Sequence, residues 1–232
     1  MLPVAILAGG LATRLRPVTE RVPKSLLELN GEPFIAHQLR LLGSRGIRQV
    51  VLCVGFLGEM IRDTVGNGQE FGVEVEYSFD GATLLGTAGA IKNALPLLGE
   101  SFLTLYGDSY LACDYRAVAG AHQASGKLAL MTVFHNQGLW DSSNVEFSGG
   151  ELLAYSKKVR RPSMEYIDYG LGAFRAKAFD RVEPSRAWDL AELYAQLLAE
   201  GQLAGFEVHQ RFYEIGSPAG LAETARFLAA QA

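Results

Sequence analysis

Between Leu7 and Leu27 the chain reads LAGGLATRLRPVTERVPKSLL, an apolar run that breaks into a glycine loop and then into cations. A buried strand running into Gly9, Gly10 and Ala12 leaves backbone N–H groups free and approachable, and such a loop cradles phosphate oxygens. Arg14 and Arg16 add permanent cationic donors, and Lys24 adds a compact point charge ten residues after Arg14. Pro17 and Pro23 stiffen the excursion between them. A site that holds a polyphosphate and neutralises charge in phosphoryl transfer needs these groups. Two carboxylates complete the inventory. Asp108 closes the run Tyr106-Gly107-Asp108 at a strand end, where open α/β sheets bind ligands. Glu214, in Arg211-Phe212-Tyr213-Glu214-Ile215-Gly216-Ser217-Pro218, stands between a strand and a capped helix. Two carboxylates with phosphate oxygens are a common protein setting for Mg²⁺.

Positioning these groups calls for strands that end together. Pro3–Ala8, Ile47–Val54, Val73–Phe79, Phe102–Tyr106 and Leu128–Phe134 read as strands; Pro33–Arg45, Leu57–Val65, Ala88–Leu98 (interrupted late by Pro96) and Tyr115–Ala124 read as helices. Their alternation requires crossover connections, hence a doubly covered, largely parallel sheet. Residues 144–147 and 152–156 flank Ser148-Gly149-Gly150 as a β-hairpin, and Ile167–Phe174 is a further strand. Leu190–Leu198 is an amphipathic helix, Phe206–His209 and Arg211–Ile215 are short strands, and Ser217 caps a helix from Pro218 to about Ala230. The expectation is a single α/β domain over 1–232, with a mixed, mostly parallel central sheet and a small β insertion around 140–175. Within it, 1–135 and 136–232 form two successive parts, which on the family resemblance given below would bind the nucleotide and the acceptor respectively.

The composition agrees. With 232 residues, 49% hydrophobic and 20% charged, the chain is an ordinary globular protein. A net charge of −4 argues against nucleic acid or an anionic membrane as partner. No segment approaches the length of a membrane span. Cys53 and Cys113 lack ligand or redox spacing, pointing to buried thiols and a cytoplasmic setting. The histidines at 37, 122, 135 and 209 show no metal spacing. Arg14 stands where a G-x-x-x-x-G-K-[ST] loop needs its second glycine, and no G-x-G-x-x-G follows the first strand. Gly107-Asp108-Ser109 resembles a hydrolase triplet but has no downstream D-x-x-H.

Gly9-Gly10-Leu11-Ala12-Thr13-Arg14-Leu15-Arg16-Pro17-Val18-Thr19 followed by Pro23-Lys24-Ser25-Leu26 resembles the signature of the sugar-1-phosphate nucleotidyltransferases, G-G-x-G-T-R-L-x-P-x-T then P-K-x-L. The resemblance implies a Rossmann-like nucleotidyltransferase fold. It makes Arg14 and Lys24 the catalytic cations and puts Leu7, Ala8, Gly9, Gly10 and Thr13 against the nucleotide. Leu85-Gly86-Thr87-Ala88-Gly89 is similar to the family's G-T-A-G segment beside the nucleobase, adding Gly86, Thr87 and Gly89. By the same carry-over Asp108 and Glu214 are the Mg²⁺ ligands, and Lys158, Asp168 and Gly170 meet the sugar phosphate. The chain departs from the pattern at Ala12 (usually Gly), Lys157 (commonly Glu), Asp168 (commonly Asn) and Glu214 (usually Asp). The extra methylene of Glu214 moves its oxygens by ~1.5 Å on a fixed backbone. The basic run Lys157-Lys158-Val159-Arg160-Arg161 suggests an anionic acceptor. The implied reaction joins an NTP to a sugar 1-phosphate with release of pyrophosphate, GTP with mannose or D-glycero-D-manno-heptose 1-phosphate being preferred. Uridylyl, thymidylyl or cytidylyl transfer, or a nucleotide-sensing regulatory subunit, are the alternatives; a homodimer is compatible with the resemblance.

Overall fold

The computed structural model describes residues 1–10, 15, 17–184 and 186–231. Chain order runs β1 (Val4–Leu7), β2 (Glu28–Leu29), β3 (Glu32–Pro33), α1 (Phe34–Ser44), β4 (Gln49–Val54), α2 (Gly58–Val65), β5 (Glu74–Phe79) and α3 (Gly86–Leu98). It continues with β6 (Ser101–Tyr106), β7 (Ser109–Tyr110), α4 (Tyr115–Ser125), β8 (Ala129–His135), β9 (Val145–Ser148), β10 (Glu151–Tyr155) and β11 (Tyr166–Arg175). The last elements are α5 (Leu190–Ala199), β12 (Leu203–Glu207), β13 (Tyr213–Glu214) and α6 (Pro218–Ala229).

β1 carries only apolar side chains because it lies between two helical layers, as buried parallel strands do. Val4 and Ile6 face α1, α2 and α4 through Ile35, Leu39, Ile61 and Val118. Ala5 faces α3 and α5 through Ala88, Ile91, Leu193 and Leu197. The central sheet has the order β10-β9-β11-β6-β1-β4-β5, with β8 beside β11 and β12 beside β8. β1, β4, β5 and β6 run parallel, as do β8 and β12. The expected α/β architecture, a mixed sheet flanked by helices, is therefore observed.

The second half is built onto the same sheet. The hairpin is β9–β10, turning at Gly149 and Gly150, both at positive φ. β11 runs antiparallel between β6 and β8, so the last strand of the 140–175 stretch is central. Its ten residues, nearly all withdrawn from solvent, explain why. Several boundaries differ from expectation, three of them for reasons the structure shows. β12 starts at Leu203, three residues before Phe206, because it follows the register of β8. Only Tyr213–Glu214 of the 211–215 run is strand, since its partner β7 is two residues long. α3 begins at Gly86 and continues past Pro96 to the buried Leu98; in the last turn a proline removes one hydrogen bond without ending the helix. No helix among the described residues is long and apolar enough to cross a membrane.

Candidate active site

The strand order places four strand ends in a row. Asp108 follows β6, Ala8–Gly10 follow β1, Gly55 follows β4 and Asp80 follows β5. Asp108, Ala8–Gly10 and Asp80 border a cavity of about 250 Å³ at the carboxyl edge of the sheet, also lined by Cys53, Lys24, Gly86 and Thr87. This is where an open α/β sheet takes its ligand.

Local geometry keeps the cavity open. Gly86 sits at φ +74°, and a Cβ there would come within 2.8 Å of the Trp188 carbonyl carbon. The same backbone fastens α3 in place: Trp188 N–H donates to Leu85 C=O and Ala88 N–H to Trp188 C=O, each at 2.9 Å. Leu190 N–H donates to the Thr87 hydroxyl, tying α5 to this corner. Gly86→Ala should therefore lose both the left-handed conformation and the close approach, lowering stability by about 2 kcal/mol or more. A thermal melt checks it, and an unchanged midpoint would remove the assignment.

Lys24 and Asp108 meet at the other end. The Lys24 Nζ lies 2.7 Å from Asp108 Oδ2, with side-chain exposures of 16% and 32%. Lys24 opens a one-turn 3-10 helix whose Ser25 and Leu26 are buried, so its ammonium is delivered from a fixed base. Asp108 is continuous with the short ladder β7–β13, in which Ser109 opposes Glu214 and Ile215 N–H donates to Asp108 C=O at 2.9 Å. The two carboxylates foreseen as a pair thus start from adjacent positions of one ladder. Glu214 accepts from Gly216 N–H and from the Ser217 hydroxyl, which in turn caps α6 through Gly220 N–H. Both carboxylates line a second cavity of about 710 Å³. No group of three or more His, Cys, Asp or Glu that could hold a metal occurs among the described residues. Two hard oxygen donors with room for phosphate oxygens nevertheless suit a cation that keeps several waters.

The second cavity joins the first at Tyr106 and Asp108. Gly170, at φ +95°, breaks the register of β11 against β8 between Asp168 and Gly172, a bulge that re-aims the strand. Asp168 accepts from Gly170 N–H at 3.1 Å, and burial raises its pKa against the opposing pull of Lys157. Lys157 also lies 3.6 Å from Asp189 and 5.7 Å from the Tyr106 ring centre. On the rim, Arg211 stacks on Trp140 at 3.3 Å and pairs with Glu223.

Of the nucleotide residues expected from the sequence, Leu7, Ala8, Gly9, Gly10, Gly86 and Thr87 line the first cavity. Gly89 does not; a Cβ there would pack on Leu85 at 3.0 Å. Thr13 and Arg14, with Ala12 and Arg16, lie outside the described residues. Asp168 and Gly170 line the second cavity, whereas Lys158 is exposed and absent from its wall, where Lys157 and Arg160 stand instead. Asp80 escaped the sequence reading. Its half-buried carboxylate accepts from Leu85 N–H at 3.1 Å, and burial raises its pKa. The signal was present, since a carboxylate directly after a strand is what singled out Asp108.

The nucleotidyl transferase family matches residues 4–231, nearly the whole chain. The chain belongs to that family. It is 31% identical over 224 residues to the N-acetylmuramate alpha-1-phosphate uridylyltransferase of Neisseria meningitidis serogroup B, covering 94% of each protein. It is 27% identical over 219 residues to the mannose-1-phosphate guanylyltransferase catalytic subunit beta of Xenopus tropicalis, covering 92% of this chain and 61% of that protein. Among solved structures, HddC of Yersinia pseudotuberculosis in complex with GMP-PN superposes with a TM-score of 0.83 at 22% identity, over 98% of this chain and 100% of the other. The inositol-1-phosphate CTP transferase of T. maritima superposes with a TM-score of 0.77 at 21% identity, over 99% and 95%. Family membership makes the chain a nucleotidyltransferase, and its relatives are sugar-phosphate nucleotidyltransferases.

Proposed function

We propose that the chain joins a nucleoside triphosphate to a sugar 1-phosphate, forming a nucleotide sugar and pyrophosphate. The carrying observation is the Lys24–Asp108 pair at the junction of two cavities, one walled by the Leu7–Gly10 backbone and the other by Asp168 and Lys157. In this reading the nucleotide fills the first cavity and the sugar phosphate the second. An oxygen of the acceptor phosphate attacks the α-phosphorus, forming the new P–O bond as the bond to the pyrophosphate breaks in line. No enzyme-bound intermediate is required, so catalysis is positioning and charge neutralisation. Lys24 offsets charge at the α-phosphate, and Arg14 with the 9–13 loop holds the β- and γ-phosphates. Asp108 and Glu214 would hold Mg²⁺, which supplies charge neutralisation at the phosphate oxygens.

GTP is the proposed donor and mannose or D-glycero-D-manno-heptose 1-phosphate the proposed acceptor. A second acceptor reading, an acidic sugar such as N-acetylmuramate 1-phosphate, is favoured by Lys157 and Arg160 on the cavity wall. The buried free thiols Cys53 and Cys113 accord with a cytoplasmic setting. Pyrophosphate release by the purified chain, screened over four NTPs and several sugar 1-phosphates, tests the reaction. Turnover with one pair is the expected result; nucleotide binding without turnover of any pair would make the chain a sensing module. Lys157→Ala should raise the acceptor KM about tenfold with kcat nearly unchanged, the loss of one charged contact. The rise should be larger for an acidic sugar than for mannose 1-phosphate. An unchanged KM for both removes Lys157 from the acceptor site.

A further inference from the structure

Asp108 stands where the chain leaves the central sheet at the end of β6 and enters the separate β7–β13 ladder. A turn between two sheets has no ladder of its own, so other contacts decide where its carboxylate points. One contact is with β1. Gly107 N–H donates to Leu7 C=O at 2.9 Å, an approach with no space for a Cβ, which would meet that oxygen at 2.7 Å. The other comes from α1. Gln38 Nε2 donates to Tyr106 C=O at 3.0 Å and to Ser109 C=O at 2.6 Å, so a single amide holds the carbonyls on both sides of Gly107-Asp108. Both acceptors are carbonyl oxygens, so only the NH₂ can face them. Gln38 is 1% exposed, and its Oε1 is buried without a hydrogen-bond partner among the described residues. A leucine or methionine would avoid that desolvation cost, so the contribution of the amide lies in its two donated bonds.

We infer that Gln38 is a positioning residue: by bracketing Asp108 it sets the place of that carboxylate against Lys24 and the reacting phosphates. This rests on the role proposed for Asp108. Gln38 lines neither cavity, so it acts through the turn and not on a substrate. The same helix fixes the other member of the pair. Phe34 N–H, at the start of α1, donates to Leu27 C=O at 2.9 Å, and Leu27 ends the 3-10 helix that carries Lys24. Phe34 and Gln38 are one helical turn apart, so α1 holds the base of Lys24 and the clamp on Asp108 side by side. The other contacts of Asp108 are the Ser109 hydroxyl at 3.3 Å and Ile215 N–H on its carbonyl, neither of which ties the turn to α1. Without the amide, the 2.7 Å approach of Lys24 to Asp108 is no longer set from one rigid element.

Gln38→Met keeps the length and the burial of the side chain and removes both donors. With the productive NTP and sugar 1-phosphate, its kcat should fall roughly ten- to a hundredfold, the cost of letting the support of a reacting group relax. The KM of both substrates should stay within about twofold, since neither cavity wall changes. Binding of Mn²⁺ alone to the full chain, read from the loss of its free spin signal, should weaken about tenfold. In an Asp108→Asn background the same substitution should cost less than about twofold further, because residues that act as a unit are not additive. Parental kcat and Mn²⁺ affinity in Gln38→Met overturn the inference, whatever the melting temperature. So does a loss repeated in full in the Asp108→Asn background, which would make Gln38 a support of the fold alone. If Gln38→Met does not fold, Gln38→Asn, one methylene too short to reach both carbonyls, is read by the same measures. Absence of Mn²⁺ binding by the wild type, or an Asp108→Asn variant as active as the parent, overturns the reading of Asp108 itself. That result is distinct from a sensitive Asp108 beside a silent Gln38.

Discussion

Lys24→Met should lower turnover about a thousandfold, the cost of removing one fixed donor aimed at charge that develops in the transition state. Methionine keeps the apolar stem and deletes only the ammonium, so packing around Ser25 and Leu26 is preserved. The variant should unfold within a few degrees of the parent, because the abandoned Asp108 carboxylate is 32% exposed and can be hydrated. Loss should fall on kcat more than on the nucleotide KM, since the charge Lys24 meets is greatest as the α-phosphorus is attacked. Lys24→Arg should not restore the rate; a guanidinium fork cannot take the place of a point charge 2.7 Å from Asp108. Pyrophosphate release under single-turnover conditions, beside a thermal melt, measures both quantities. More than a tenth of parental activity in Lys24→Met would end the catalytic assignment.

Asp108→Asn is expected to be as damaging, by a different route. The amide is isosteric and keeps Ile215 N–H bonded to the residue's own carbonyl, so the β7–β13 ladder survives. The negative charge is lost, leaving Lys24 unbalanced and, in the proposed metal site, only Glu214 and phosphates to hold the cation. Turnover should fall by about three orders of magnitude, and the Mg²⁺ concentration for half-maximal rate should rise. Glu214→Gln should cost less activity, because its carboxylate also serves Gly216 N–H and Ser217 at the start of α6. It should lower the melting temperature more than Asp108→Asn does. A Mg²⁺ titration of the rate in both variants, read against their melts, separates the roles. An unchanged Mg²⁺ requirement in Asp108→Asn would remove that residue from the metal site.

That the glycine loop and Asp108 stand at one sheet edge was readable because they follow long signals. An apolar run such as Val4–Leu7 announces a buried strand, and the residues after Leu7 and Tyr106 must then lie at one sheet edge. Lys24 was legible from its motif alone. The meeting of Asp108 with Glu214 depends on β7 and β13, two residues each, too short to leave a periodic pattern. Family likeness, not periodicity, joined those residues. Asp80 was passed over because the segment from Asp80 to Leu85 carries no motif, and its place on the cavity wall appears only when four strand ends are set in order. Lys157 and Lys158 are neighbours in a basic run; only the fold decides which faces the cavity. The central place of β11 was missed for a related reason: it was read as part of a local insertion, although ten largely buried residues require partners on both sides.

Both tryptophans of the chain stand beside the site. Trp188 lies behind the Gly86 corner with Arg186 stacked on it at 3.9 Å, and Trp140 lies on the rim beneath Arg211. Indole emission responds to the charge and water around the ring, so the protein carries two built-in optical reporters, one behind the first cavity and one on the wall of the second. With no other indole to add background, unlabelled protein can follow occupancy of the two cavities separately, once Trp140→Phe and Trp188→Phe have assigned each signal.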